Sequence, residues 1–127
     1  MVSDGLRALL ERGDGVGELA AFAGEGVGTG FSEHPVCGDR VQLSVRVQNG
    51  DVIEIRWRAS GCPASMAVAA LTVQALTGVA IGELDAVLHE AIAGHGGLLR
   101  HERHAEAMAL RALRDAVWAA LQSLRHA

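Results

Sequence analysis

The feature that most constrains the fold is a pair of alternating segments, 41–47 and 53–59, separated by Asn49-Gly50. Every second residue in each segment is apolar, which is the period of a strand with one buried face. These apolar residues are Val41, Leu43, Val45 and Val47, then Ile53, Ile55, Trp57 and Ala59. An Asn-Gly pair between two such segments is a strong hairpin signal, so we expect an antiparallel sheet built on this hairpin.

The register of the hairpin follows from where its apolar residues must point. Residues opposite each other in an antiparallel pair share one face of the sheet. A two-residue loop would pair Leu43 with Arg56 and would therefore put the two apolar rows on opposite faces. A three-residue loop, 48–50, restores agreement and pairs Val45 with Ile53. We therefore predict the three-residue loop.

The two cysteines of the chain flank this hairpin. Cys37 precedes the first strand and Cys62 follows the second. The three-residue register places Cys37 opposite Gly61, so we expect the two sulfur atoms to lie close enough to share one ion or one cluster. A disulfide between them is the alternative, which a compartment that keeps thiols reduced disfavours.

Composition excludes several classes of function. The net charge of -4 argues against nucleic acid as a general partner. All eleven basic residues are arginines, so a Schiff-base lysine and a P-loop lysine are excluded. Charges interrupt the first leucines, so no signal peptide is expected, and the uncharged stretch 59–82 is expected to be a buried helix and not a membrane span. We predict a single cytoplasmic domain, 1–127.

Helical spacing of apolar residues predicts four helices, at 3–12, 63–78, 83–93 and 101–125. Pro63 suits the first turn of the second helix, which puts Cys62 at a helix N-terminus, where the helix dipole favours a thiolate. The expected buried stripe of the last helix is Leu110, Leu113, Val117, Leu121 and Leu124. The segment 13–30 is glycine-rich and expected to be irregular, with a third strand before Cys37. This order predicts an α+β fold, a small antiparallel sheet with helices packed on one face.

Three motifs stand in order along residues 16–125. The first is 27–30 (Val-Gly-Thr-Gly) followed by 35–39 (Pro-Val-Cys-Gly-Asp), and the second is 61–67 (Gly-Cys-Pro-Ala-Ser-Met-Ala). Both are similar to cluster motifs of the U-type iron–sulfur cluster assembly scaffolds, the IscU and NifU N-terminal family. The third family motif, a His-Cys pair, falls on His104 and Ala105, so the histidine is present and the cysteine is absent.

The resemblance implies a scaffold or carrier that is not an enzyme. Its ligands for iron or a [2Fe–2S] cluster would be Cys37, Asp39, Cys62 and His104, with a cysteine desulfurase and recipient apo-proteins as partners and no membrane. Two sulfurs, one nitrogen and one oxygen also make an acceptable zinc set. Histidine can replace cysteine at a [2Fe–2S] cluster, and an aspartate ligand would leave the cluster labile.

Two alternatives stay open at this point. One is a sulfur acceptor of the SufE or SufU type, in which Cys62 takes persulfide sulfur from a desulfurase. The other is a degenerate family member that binds zinc or has a regulatory role. A homo-oligomer sharing one cluster could supply the missing ligand. Asp39 could also be a simple turn residue and His104 a surface histidine.

Overall fold

The structure, a computed structural model that describes residues 2–20 and 24–125, contains a four-stranded antiparallel sheet and four α-helices in that part of the chain. In chain order the elements are α1 (Asp4–Arg12), β1 (Val27–Glu33), β2 (Arg40–Gln48), β3 (Asp51–Ser60), α2 (Pro63–Leu76), β4 (Val79–Ala80), α3 (Leu84–Gly94) and α4 (His104–Arg125). The strands are ordered β1-β2-β3-β4 in the sheet. The predicted α+β class is confirmed.

One face of the sheet carries the core. The four valine and leucine residues of β2 that alternate along the strand are all buried there: Val41, Leu43, Val45 and Val47. Helix α2 packs on β3 and β2, α4 packs on β1 and β2, and the two helices contact each other. Helices α1 and α3 pack on α2. The apolar sequence of α2 predicts burial on all sides. The sheet and helices α1, α3 and α4 together bury it.

The predicted loop and register of the hairpin are wrong. The turn is the two-residue Asn49-Gly50, both residues with positive φ (53° and 82°), between Gln48 and Asp51. Such a turn suits the twist of the paired strands. A β-bulge then adds one residue, Ile53, to β3 between the pairs of Val47 and Arg46. The bulge brings the apolar rows back to one face of the sheet. The sequence prediction reached the same agreement through a three-residue loop.

The corrected register changes which residues meet at the far end of the hairpin. Leu43 pairs with Trp57 and Arg40 pairs with Ser60. The chain just before β2 is thus shifted relative to the predicted pairing. Asp39, and not Cys37, is carried to the level of Gly61.

Helix α4 lies against β1 with almost no side chain between them. A Cβ atom added to Gly30 would lie 1.8 Å from the carbonyl oxygen of Ala112, and one added to Gly28 would lie 2.2 Å from that of Ala116. Two glycines of the segment expected to be irregular therefore lie within β1, where they admit the helix backbone. The predicted third strand is present, and it begins at Val27. Residues 21–23 of the same segment lie outside the described residues.

The buried face of α4 differs from the predicted leucine stripe. Leu113 and Val117 are buried, but Leu121 and Leu124 are about two-fifths exposed, at 39% and 42%. The buried positions are largely alanines, at 105, 109, 112, 116 and 120. Small residues form this face because β1 approaches so closely. The helix begins at His104 after a short 3₁₀ turn, Arg100–Glu102.

The first helix follows its sequence signals closely. The Ser3 hydroxyl accepts a hydrogen bond from the backbone N–H of Leu6, and Gly13 ends the helix in the left-handed conformation with φ 65°. Among the described residues, no helix combines the length and apolarity needed to cross a bilayer.

Candidate metal centre

Three chain segments meet at one end of the sheet. Asp39 directly precedes β2, Cys62 is the N-cap residue of α2, and His104 opens α4. Their ligand atoms, one carboxylate oxygen, one sulfur and one ring nitrogen, all lie within 4.8 Å of one another. The packing of α4 on β1 and β2 places the imidazole here.

The Asp39 carboxylate is the structural centre of the group. Its side chain is only 2% exposed. Oδ1 accepts the backbone N–H of Cys62 at 2.9 Å, and Oδ2 accepts the Ser65 hydroxyl at 2.8 Å. Cys62 has no capping hydrogen bond from its own side chain, so Asp39 supplies the acceptor at the start of α2. A negative charge there also suits the helix dipole.

Gly61 makes room for this carboxylate. Its φ is +112°, in the region that favours glycine, and a Cβ atom there would lie 2.3 Å from Asp39 Oδ1. Glycine before Cys62 is therefore required by the approach of Asp39 to the helix.

These contacts keep Asp39 ionised. Burial of the carboxyl acts to raise its pKa, but hydrogen bonds from the Cys62 backbone, the Ser65 hydroxyl, His104 and the Cys62 thiol outweigh burial and lower the pKa from 3.8 to about 2. The carboxylate is therefore available as an anionic oxygen ligand at neutral pH.

His104 and Cys62 complete the group. His104 Nε2 lies 3.0 Å from Asp39 Oδ2 and 3.7 Å from Cys62 Sγ. Because Asp39 is ionised, Nε2 carries the proton that links the two side chains. A metal ion bound by all three residues would replace this proton. Sulfur, imidazole nitrogen and carboxylate oxygen are the donors that zinc and iron take in proteins.

The three side chains are not arranged as a hydrolytic relay. In a nucleophile–histidine–carboxylate triad the histidine uses one nitrogen for the nucleophile and the other for the carboxylate. Here the same atom, Nε2, faces both Cys62 and Asp39. The geometry is that of converging ligands.

Cys37 lies outside this group. It is an exposed free thiol in the turn before Asp39, and its sulfur is not among the ligand atoms that lie within 4.8 Å of one another. The expected proximity of the two sulfurs rested on the register that the structure corrects. Of the four predicted site residues, the structure brings together Asp39, Cys62 and His104.

Comparison with known families assigns the chain. The family described as "NifU-like N terminal domain" matches residues 12–123. The chain belongs to this family. The iron–sulfur cluster assembly scaffold protein IscU 1 of Archaeoglobus fulgidus is 31% identical over 91 residues, which is 71% of this chain and 60% of that protein. The scaffold protein IscU of Haemophilus influenzae is 29% identical over 92 residues, 72% of this chain and 73% of that protein.

Solved structures of NifU-like and SufU proteins share the fold. A Fervidobacterium islandicum protein assigned as an iron–sulfur cluster assembly scaffold for the SUF system aligns with TM-score 0.69 at 14% identity, covering 91% of this chain and 95% of that one. The N-terminal part of a NifU-like protein from Brucella abortus aligns with TM-score 0.63 at 14% identity, covering 96% and 92%.

Two residues of the NifU-like site were missed by sequence reasoning. Ser65, quoted only as part of a motif, donates its hydroxyl to Asp39. His34 was not predicted as a site residue. Its ring centroid lies 4.9 Å from that of His104, and its Nδ1 accepts the Cys37 backbone N–H at 3.1 Å. The available signal was spacing, because Ser65 and His34 each stand three residues from a cysteine.

Proposed function

We propose that this NifU-like domain holds iron and sulfide while an iron–sulfur cluster is assembled, and then releases the cluster to another protein. The observation that carries the proposal is the convergence of Asp39, Cys62 and His104 within 4.8 Å, at positions that match the family motifs. The named relatives support the same role, although the first of them extends well beyond the region matched here.

The proposed ligand set is Asp39, Cys62 and His104, joined by Cys37 as the second thiolate. A [2Fe–2S] cluster usually takes four cysteines, and histidine replaces cysteine in some clusters. Cys37 lies only two residues from Asp39, in an exposed turn, so its thiolate can be recruited without moving the sheet. The cluster type proposed is [2Fe–2S].

Asp39 supports release as well as binding. The carboxylate already accepts hydrogen bonds from Cys62, Ser65 and His104. A metal that takes Asp39 Oδ2 competes with the Ser65 and His104 hydrogens, which return when the cargo leaves. This competition between the metal and the hydrogen-bond donors weakens metal binding by Asp39, which suits a protein that must release its cluster.

Anaerobic loading tests the proposal. Wild-type protein incubated with ferrous iron and sulfide should retain both in stoichiometric amounts and show sulfide-to-iron charge-transfer absorption. Cys62→Ala should retain neither, because it removes the sulfur of the converging group. His101→Ala, which changes an exposed histidine outside the group, is the control and should load normally. Equal loading of the Cys62→Ala protein, or a wild-type protein that retains no iron and sulfide, would contradict the proposal.

A second function, sulfur acceptance, is favoured by the position of Cys62. The thiol is partly exposed at the N-terminus of α2, with His104 Nε2 3.7 Å away. The Cys62 thiolate would attack the outer sulfur of a desulfurase cysteine persulfide. The old S–S bond breaks, the desulfurase cysteine leaves as a thiolate, and the new persulfide stands on Cys62.

Mass spectrometry separates the second function from the first. After treatment with a cysteine desulfurase and cysteine, the Cys62 peptide should carry one added sulfur atom, removed by a reductant. Cys37→Ala should still accept the sulfur and Cys62→Ala should not. Unmodified Cys62 under conditions that charge the desulfurase would eliminate this function. A desulfurase and recipient apo-proteins are accordingly the proposed partners, and a cytoplasmic location stays a prediction.

A further inference from the structure

His34 links the exposed cysteine to the converging ligands. Its Nδ1 accepts the backbone N–H of Cys37 at 3.1 Å, and its ring packs against His104 with centroids 4.9 Å apart and planes tilted by 55°. That separation is typical of aromatic rings in contact. One side chain therefore touches both the turn that carries Cys37 and the histidine that faces Cys62.

The turn at residues 34–39 is closed by three hydrogen bonds, and His34 takes part in all of them. The backbone N–H of His34 donates to the Asp39 carbonyl at 2.8 Å, and the N–H of Gly38 donates to the His34 carbonyl at 2.8 Å. The third is the side-chain bond to Cys37. Because Nδ1 acts as an acceptor, the hydrogen of the neutral ring is on Nε2. In this tautomer, the His34 ring stabilises the 34–39 turn through the hydrogen bond from the Cys37 N–H.

The proposed ligand set takes its second thiolate from this turn. Asp39, Cys62 and His104 supply one donor each, and the family position for a further thiol holds Ala105, which is fully buried. Cys37 is the other cysteine of the chain. Any second protein thiolate from the same chain must come from the turn that His34 closes.

We propose that His34 is a positioning residue that holds the turn carrying Cys37 against His104, so that the exposed Cys37 thiol stays within reach of Cys62. By fixing the 34–39 turn through Nδ1 while its ring packs on His104, His34 raises the effective concentration of Cys37 at the site. The purpose of this arrangement rests on the proposed function, but the positioning itself is a property of the metal-free protein.

The experiment measures thiol proximity without metal. Metal-free protein is equilibrated with glutathione and glutathione disulfide, and the fraction with a Cys37–Cys62 disulfide is determined. In this exchange two protein thiols are oxidised and one glutathione disulfide is reduced to two glutathione molecules. The equilibrium constant gives the effective concentration of one thiol at the other. Failure of iron–sulfur loading leaves this readout intact, so the two proposals fail separately.

Three substitutions separate the contacts of His34. His34→Ala should lower the effective concentration about fivefold, the factor expected for loss of one hydrogen bond. His34→Asn keeps a short side-chain acceptor for the Cys37 N–H and should restore most of it. His34→Phe keeps a ring against His104 without the acceptor and should behave like His34→Ala. His101→Ala is the matched control and should match the wild type.

Each other result overturns the proposal. An unchanged constant in His34→Ala means that the turn positions Cys37 without help. A larger constant means that His34 holds the thiol away. Restoration by phenylalanine and not by asparagine assigns the effect to ring packing.

Cobalt binding provides a second readout that distinguishes positioning from direct ligation. Thiolate-to-cobalt charge-transfer absorption grows with the number of bound thiolates. His34→Phe should keep this absorption at saturation but bind cobalt about fivefold more weakly than the wild type. In the Cys37→Ala background the same substitution should change cobalt affinity little, as expected for residues that act as a unit. Equal weakening of cobalt binding by His34→Phe with and without Cys37 would make His34 a ligand and would contradict the positioning role.

Discussion

Asp39 shows how one side chain can serve the fold and the site together. Its two oxygens accept the Cys62 N–H, the Ser65 hydroxyl and the His104 ring N–H, and these contacts cap α2 and orient the imidazole. The sequence identifies Asp39 as a candidate ligand from its distance to Cys37. It does not reveal the capping role, because the pairing that brings Asp39 beside Cys62 depends on the bulge at Ile53, 14 residues after Asp39 in the chain.

The ionisation of Asp39 predicts a pH-dependent stability. Its folded pKa of about 2 lies below the ordinary 3.8, so its contribution is full above about pH 4 and is lost as pH falls through about 2. The difference corresponds to about 2 kcal/mol. In Asp39→Asn, the free energy of unfolding of metal-free protein should be lower by roughly this amount at pH 7.

Urea unfolding between pH 7 and pH 2 measures this effect. The gap between wild type and Asp39→Asn should narrow as the pH approaches 2. Asp115→Asn, at an exposed position of α4, should stay within about 0.5 kcal/mol of wild type throughout. A gap that is constant across the range would show that the charge of Asp39 is not the source of its stabilising effect.

At the scale of elements, the contact of α4 with β1 fixes where His104 lies. Gly28 and Gly30 admit the helix backbone at the level of Ala112 and Ala116, and His104 lies two turns before Ala112 in the same helix. The position of the imidazole is therefore set by packing some distance from the site.

Filling this contact should be costly. Gly30→Ala puts a methyl group into space held by the Ala112 carbonyl, and overpacking of this kind should lower the free energy of unfolding by about 3 kcal/mol. Chemical denaturation measures the loss. Gly82→Ala is the matched control, since Gly82 has open space around its Cα and no positive φ. It should be neutral or slightly stabilising. Equal stability of the two variants would mean that α4 can move away from β1 at little cost.

The elements were largely predictable from sequence, and their contacts less so. Ser3, Gly13 and Pro63 mark helix ends by local chemistry, and the structure confirms each. The bulge at Ile53 could not be predicted, because alternation reports which face a residue prefers and not where the ladder skips a residue. The packing face of α4 was misassigned because the prediction followed the large apolar residues of the helix. The close approach of β1 instead places alanines on the buried face.

At the scale of the whole molecule, the site joins the sheet, α2 and α4. Binding to the native arrangement and not to the unfolded chain stabilises the fold by mass action. Cys62 and His104 lie close together, as the sequence predicts, because each stands at the start of a helix that packs on the same face of the sheet. The position of Cys37 was not predictable from the sequence alone, since it depends on the register.

Zinc should therefore stabilise the folded domain. A free zinc concentration one hundred times the dissociation constant should add about 2.7 kcal/mol and raise the melting temperature by several degrees. The gain should shrink as pH falls, because protons compete with the metal for its ligand atoms. Thermal unfolding followed by circular dichroism, with a chelator to reverse the effect, measures this gain.

Two comparisons make the zinc result specific. Cys62→Ala should gain little stability from zinc, and magnesium should have little effect on the wild type because it prefers oxygen ligands. An equal zinc response in Cys62→Ala would place the binding elsewhere in the protein.

The glycine and alanine contact between β1 and α4 also determines how the domain can change over evolution. A side chain at Gly28 or Gly30 would push the whole helix outward and carry His104 away from Asp39 and Cys62. Residues outside the site are thus as restricted in size as those within it. Tolerated substitutions should therefore keep small residues at Gly28 and Gly30 of β1 and at Ala112 and Ala116 of α4, away from the Asp39, Cys62 and His104 group.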